Sequence, residues 1–238
     1  MLLEGNVSVK AAILGNHRKV EKLYYDKHKN DKDLNFILHR AKEKGIPCMP
    51  LEREEINAMA TGRTHGGLVA EASPRVYQEL SECMHGEKPF LVLLEGVEDP
   101  FNLGYIIRTL YSAGCDGLIL PRHDWSSAES TIAKSSAGAF EYMNIVMSDD
   151  LPKLVKDIKK QGVKTYAAMR KDAITYLEAD YRKPSLIAIG GEMRGLSSAV
   201  RNEIQQNIYI PYANDFRNAL NAASAAAVLS FEVYRQRR

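Results

Sequence analysis

The chain has 238 residues, 45% of them apolar and 26% charged, a globular composition that excludes a largely disordered protein. No apolar run reaches the roughly 18 residues of a membrane span, and MLLEGNVSVK lacks the basic-then-apolar pattern of a secretory signal. Three scattered cysteines (Cys48, Cys83, Cys115) with no CxxC pair point to a reducing, cytoplasmic setting, and a formal charge of +2 neither demands nor excludes a nucleic-acid partner.

Residues 1–72 read as a small α/β unit. VSVKAAIL precedes KVEKLYYD, whose Val20, Leu23 and Tyr24 suit a buried strand. LNFILHRAKEKG follows with Leu34, Ile37, Leu38 and Ala41 on one helical face and Gly45 as a stop. IPCMPL reads as a strand, EEINAMA as a short helix and GGLVAEA as the closing strand. Residues 73–88 are polar, contain Ser-Pro and Gly, and read as a helix-bearing linker.

From Pro89 to the C-terminus, strands and helices alternate. FLVLLEGV is a near-continuous apolar run, as expected of a parallel strand covered on both faces. A loop and a helix ending near Gly114 come next, then GLILP as a strand, TIAKSSAGAFEYM as a helix, NIVM as a strand and LPKLVKDIKKQG as a helix. KTYAAM, SLIAIGG and NIYIPY read as strands, SSAVRNEIQQ as a helix, and residues 218–236 as a long final helix. This order predicts an α/β fold with an open, mainly parallel sheet and helices on both faces.

Three motifs carry chemical interest. In EDPFNLGYIIRTLYSAG a strand ends, and a helix begins near Asn102, which can cap it, while Gly104 allows close backbone approach. If the helix begins at Asn102, the six residues to Arg108 advance about 600°, roughly 240° round the axis, and the two share no face. If Asn102 lies in the preceding loop, both can reach a site at the strand's C-terminal end. A cap plus a surface arginine is the plain alternative. IAIGGEMRGLS joins a buried strand to a Gly-rich turn with Gly190, Glu192 and Gly195, suited to backbone contact with a flat ligand or simply to turning; it is neither GxGxxG nor a Walker A loop. YIPYANDFRNALNAASAAAVLSFEVYRQ ends the chain in a helix apolar over most of its circumference, which must be buried within the domain or at a subunit interface.

Together the three motifs resemble the SpoU-type (TrmH-type) RNA 2′-O-ribose methyltransferases. The carriers are N-L-G-x-x-x-R at Asn102, Leu103, Gly104 and Arg108; G-x-E-x-x-G-L-S at Gly190, Glu192, Gly195, Leu196 and Ser197; Ile210-Pro211 and Leu220-Asn221 before an Ala-rich helix; and KSSAGAFEYM between them. EGNVSVKAAI, RKVEKLYYD, KEKGIPCMPL and THGGLVA resemble the small ribosomal-protein-like substrate-binding domain of the ribosomal-RNA branch. The resemblance implies an RNA-binding domain over residues 1–72 and a methyltransferase domain over 89–238. It further implies a C-terminal trefoil knot, a homodimer, S-adenosylmethionine as cofactor and RNA, ribosomal rather than transfer RNA, as substrate.

By the same resemblance Asn102, Arg108, Glu192 and Asn221 are the catalytic-pocket residues, and Gly190, Ile210 and Leu220 contact the cofactor mostly through backbone. Glu192 has a plainer reading, anchoring its loop by accepting backbone N–H bonds. RNA binding falls to the basic stretch 18–44, nine Lys/Arg against five acids, with Asn16 and Arg18, and to the loop carrying Arg63 and His65; a solvated helix face is the alternative. No metal is expected, because no His/Cys/Asp cluster has ligand spacing. The chain departs from the family at Ala219 and Ala223, where serines are usual, and in an extra residue within ANDFRN. That departure leaves open an RNA-binding or ribosome-assembly factor with weak or lost turnover, beside a transfer-RNA methyltransferase; a nicotinamide oxidoreductase lacks its fingerprint.

Overall fold

The computed structural model describes every residue except Arg63 and Glu192. These form two compact units, Met1–Val76 with Trp125–Tyr142, and Tyr77–Asp124 with Met143–Arg238.

The first unit holds a four-stranded sheet in the order β1-β4-β2-β3, built from β1 (Leu2–Glu4), β2 (Val20–Asp26), β3 (Cys48–Leu51) and β4 (Leu68–Ala72). VSVKAAIL, which the sequence left unassigned, lies within α1 (Asn6–Leu14). α2 (Lys32–Glu43) starts at Asp31, whose carboxylate accepts the Leu34 N–H, and buries Leu34, Ile37 and Ala41. α3 (Arg53–Met59) completes the N-terminal part. Trp125–Tyr142 packs with these residues, where sequence reading put it with the later strands. The helix expected over TIAKSSAGAFEYM stops as α6 (Glu129–Ser135), because Ala137 (φ 50°) and Gly138 (φ 85°) turn left-handed before a single 3-10 turn. Glu4, nearly fully buried, accepts from Lys134 and from the Thr61 N–H and hydroxyl. Burial opposes ionisation of Glu4, but these donors hold its carboxyl down to about 2.

The second unit holds a seven-stranded sheet in the order β7-β6-β5-β10-β8-β11-β9, in which every pairing among the described residues is parallel. Its strands are β5 (Phe90–Glu95), β6 (Gly117–Pro121), β7 (Ile145–Ser148), β8 (Lys164–Ala168), β9 (Ala173–Thr175), β10 (Ser185–Gly190) and β11 (Gln206–Tyr209). β9 was not legible: its three half-buried residues give no period. The helices are α4 (Leu80–Cys83), α5 (Pro100–Ser112), α7 (Leu151–Lys160), α8 (Ser198–Glu203) and α9 (Ala222–Arg237). Leu91, Leu93, Leu186 and Ala188 of the central strands pack with Val155, Ile158 and Val200 in one buried cluster. Burying side chains of this size is worth about 1.5–3 kcal/mol each.

Two helix starts differ from expectation. α5 is capped by Asp99, whose carboxylate accepts the Asn102 N–H at 2.7 Å, with Pro100 at the first helical position; Asn102 is therefore inside the first turn and not the cap. α9 starts at Ala222, four residues after the expected 218, with Asn221 as cap through a 2.8 Å bond from the Ser224 N–H.

The closest backbone approach joins the ends of β5 and β10. The Gly191 N–H donates to the Glu95 carbonyl at 2.6 Å, the Gly195 N–H to the Gly191 carbonyl, and the Ser197 N–H to the Glu95 carboxylate. A Cβ built on Gly191 would lie 1.8 Å from the Gly96 carbonyl oxygen, and one on Gly190 would lie 2.5 Å from backbone of Gly195 and Leu196. Backbone cannot rotate away as a side chain can. We expect Gly191→Ala to cost at least the ~3 kcal/mol upper range of overpacking, read as a lowered urea midpoint; an unchanged midpoint would show that this crossing is loose.

Candidate active site

At β5 and β10 the sheet changes direction of winding: β6 and β7 extend to one side, β8, β11 and β9 to the other. Open α/β sheets bind ligands at the carboxyl ends of strands at such a switch point. A cleft of about 510 Å³ opens there. Its floor is Ile189, Gly190 and Gly191, with Ile208 and Leu229 as apolar wall and residues of 209–222 as the far side. Gly190, Ile210 and Leu220, the three expected cofactor contacts, all line it. So do five cations, Arg170, Lys171, Arg194, Arg201 and Arg217, and no carboxylate among the described lining residues.

An adjoining recess of about 250 Å³ shares Gly191, Arg194 and Ala222 with the cleft and adds Gly96, Glu98, Asp99 and Asn102. Asn102 thus faces a hollow beside the cleft, although the Asn102 N–H is already used by Asp99. Asn221 immediately precedes Ala222, and its side-chain oxygen is occupied as the α9 cap. Arg108 lies elsewhere. It is exposed on α5, lines neither hollow, and its guanidinium has no hydrogen-bond or ion-pair partner among the described residues. With Asn102 inside the helix, the six-residue separation keeps the two on different faces, the first of the alternatives above. Arg108 instead shares a stripe with Phe101 and Tyr105, spaced seven and three residues before it, both about half exposed. Glu192 lies outside the described residues.

The residues expected to touch RNA separate on inspection. Asn16 is exposed, beside a recess of about 320 Å³ that Lys19 and Lys44 also line. Arg63 lies outside the described residues. Arg18 is not a surface group: its side chain is 0% exposed and pairs with Glu129 at 2.8 Å and Glu141 at 2.7 Å. Its charge is spent inside the first unit, so an RNA contact through Arg18 is corrected to a structural ion cluster. Burial pushes the Glu141 carboxyl up, against the pull of Arg18. His65 is also interior, its Nδ1 accepting the Gly67 N–H, and burial followed by the Arg53 charge pushes its pKa down. With 3% of its surface exposed, His65 presents little to an RNA backbone, so it too is withdrawn as a surface RNA contact.

Sequence reading missed Asp99, whose Asp-Pro pair is a cap signature, and the cleft residues Arg170 and Tyr212. Tyr212 immediately precedes the ANDFRN stretch that departs from the resemblance, which was the available signal.

Residues 89–231 match the model of the SpoU rRNA Methylase family. The chain belongs to this family. Residues 2–78 match a second model, RNA 2′-O ribose methyltransferase substrate binding. A Staphylococcus haemolyticus protein named for the TrmH family of tRNA/rRNA methyltransferases is 30% identical over 242 residues, spanning 100% of this chain and 96% of that one. Among solved structures, the SpoU methyltransferase AviRb from Streptomyces viridochromogenes, in complex with AdoMet, superposes with a TM-score of 0.84 at 22% identity, covering 100% of this chain and 90% of that one. An AdoMet-bound rRNA methyltransferase from Sinorhizobium meliloti gives 0.75 at 24%, covering 98% and 86%. A tRNA-modifying TrmH/SpoU enzyme of A. aeolicus gives 0.57 at 24%, covering 63% of this chain and 78% of that one.

This SpoU family member therefore shares the α/β fold of SpoU neighbours that carry a trefoil knot, and its family is one of S-adenosylmethionine-dependent RNA methyltransferases. The site fits that cofactor. Its volume lies within the 300–1,000 Å³ of ligand clefts, the Gly190–Gly191 floor admits no side chain, and Ile210, Leu220 and Leu229 supply apolar wall.

If Arg18 is structural, Arg18→Ala strands two buried carboxylates and should cost about 3–5 kcal/mol, seen as early unfolding of the first unit in urea. Wild-type stability with reduced RNA affinity would restore the surface reading.

Proposed function

We propose that this SpoU methyltransferase modifies a ribose 2′-hydroxyl of ribosomal RNA and works as a homodimer. The observation that carries the substrate reading is coverage. The match to the 2′-O-ribose substrate-binding family covers residues 2–78, and the neighbour named as an rRNA methyltransferase covers 98% of the chain, against 63% for the tRNA-modifying one. The five cations round the cleft support a polyanionic substrate, since phosphate contacts supply most non-specific RNA affinity.

When bound, S-adenosylmethionine supplies an electrophilic methyl carbon on a sulfonium. The chain's task is to hold the ribose in line with that carbon and to stabilise the oxygen as its proton departs. Gly190, Ile210 and Leu220 hold the cofactor in this reading, and Asn102 and Asn221 border the place where the ribose enters. Glu192 retains its assignment to the same pocket. Arg108 acts as a phosphate clamp and electrostatic stabiliser, because a guanidinium does not give up its proton at neutral pH. The proton passes to water or to an RNA phosphate oxygen.

Arg108 lies outside the cleft of its own chain, on a stripe with Phe101 and Tyr105, and α5 packs against α9, whose Phe231 and Tyr234 are also about half exposed. A second copy covering this face would bury those rings and bring Arg108 toward a partner cleft. The alternative of an RNA-binding factor without turnover draws on Ala219 and Ala223, each lacking the hydroxyl of the family pattern.

The test incubates purified protein with tritiated S-adenosylmethionine and RNA from cells lacking the gene, then digests the labelled RNA. Label in one 2′-O-methyl nucleotide of ribosomal RNA is the expected result. Arg108→Ala should lower kcat about 10²–10³-fold and leave cofactor affinity unchanged. Label on a base, or only in transfer RNA, overturns the substrate reading; cofactor binding without transfer to any RNA favours the assembly factor.

A further inference from the structure

Residues 211–221 connect β11 to α9 with no helix or strand of their own, yet they supply Tyr212, Arg217, Ala219 and Leu220 to the cleft. A segment of this length loses roughly 1–2 kcal/mol of backbone entropy per ordered residue, so something must hold it. Side chains at the two ends of Leu220-Asn221 do not: Ala219 has no hydroxyl, and Asn221 is used as the α9 cap.

The restraint comes from two residues outside the expected set. The Tyr212 hydroxyl accepts the Leu220 N–H at 2.8 Å, closing eight residues into a loop. Arg170, two residues after β8, lays its guanidinium over the Tyr212 ring at 4.4 Å. The same guanidinium donates to the Phe216 and Arg217 carbonyls at 3.3–3.4 Å. The Phe216 ring lies 6.3 Å from that of Tyr212. Arg170, Tyr212 and Leu220 all line the cleft.

We infer that Tyr212 and Arg170 are positioning residues for the cofactor: the pair clamps residues 211–221 so that Leu220 and its peptide present a preformed wall to S-adenosylmethionine. The inference rests on the cofactor assignment and is independent of which RNA is methylated. The hydroxyl enters from the far end of the loop, on Tyr212, where the family pattern places hydroxyls at the two ends of Leu220-Asn221. Preformed walls raise affinity because the ordering is complete before binding. Arg170 is thereby committed to the loop, leaving Lys171, Arg194, Arg201 and Arg217 as the cations available to phosphate.

The experiment compares the unaltered protein with Tyr212→Phe, which removes one oxygen, and Arg170→Lys, which keeps the charge but loses the planar fork. Calorimetry with S-adenosylmethionine gives Kd, and hydrogen exchange in the cofactor-free protein reads the Leu220 amide. Tyr212→Phe should accelerate exchange at Leu220 and weaken cofactor binding about two- to twelvefold, the equivalent of one ordinary hydrogen bond. Arg170→Lys should weaken binding in the same direction, and in both variants KM for the cofactor should rise while kcat at saturation stays. Wild-type affinity in both variants overturns the inference. Weaker binding by Tyr212→Phe with unchanged Leu220 exchange also overturns it, by making the phenol a direct ligand. No binding by the unaltered protein overturns the cofactor assignment beneath it.

Discussion

The second unit depends on a place where backbone meets backbone with no room for a side chain. Gly191 lies against the Gly96 carbonyl, and Gly190 against the Gly195–Leu196 peptide. The crossing locks the end of β5 to the turn after β10, with Glu95 accepting from Gly191 through its carbonyl and from Ser197 through its carboxylate. It also creates the floor of the cleft. Glycine thus lets the chain cross itself closely where a Cβ would strike neighbouring backbone, and the same two residues line the cleft.

Around that floor the groups divide by chemistry. Apolar wall comes from strand ends and α9, where Ile208 and Leu229 are already part of the core. Cations come from loops and from α8; Arg170 is held by the Phe216 and Arg217 carbonyls, while Lys171, Arg194, Arg201 and Arg217 are exposed. Two carboxylates near the site do structural work: Asp99 caps α5 and Glu95 holds the turn. A cleft whose described lining carries five cations suits a phosphate-bearing partner. The same economy operates in the first unit, where Arg18 serves Glu129 and Glu141, leaving the exposed lysines and Asn16 to face solvent.

Much of this architecture was legible in the sequence, and for identifiable reasons. FLVLLE and SLIAIG are short apolar runs bounded by glycine or proline, which only a covered parallel strand accommodates, and both are central strands. The glycine-rich turn, Ile210 and Leu220 announced the cleft through spacing that resembles a known family. What failed was set by contacts distant in sequence or by competing local chemistry. Arg18 looked like part of a basic surface because its partners lie 111 and 123 residues further on. His65 looked solvated in a polar loop, but its own side chain is buried. The start of α5 was misplaced because Asn102 was favoured over the Asp99-Pro100 pair. α9 was extended backwards over residues whose side chains and amides serve the cleft loop. β9, three residues long, is stabilised by pairing with β11 and carries no pattern of its own.

The account stands on the cleft at the β5–β10 crossing being the cofactor site. A crystal structure of the protein grown with S-adenosylmethionine tests this most directly. The account predicts density for the cofactor against Gly190 and Gly191, with Ile210 and Leu220 in contact and the Tyr212–Leu220 bond intact. Cofactor bound anywhere else, or bound in this cleft only after residues 211–221 have left it, would contradict it.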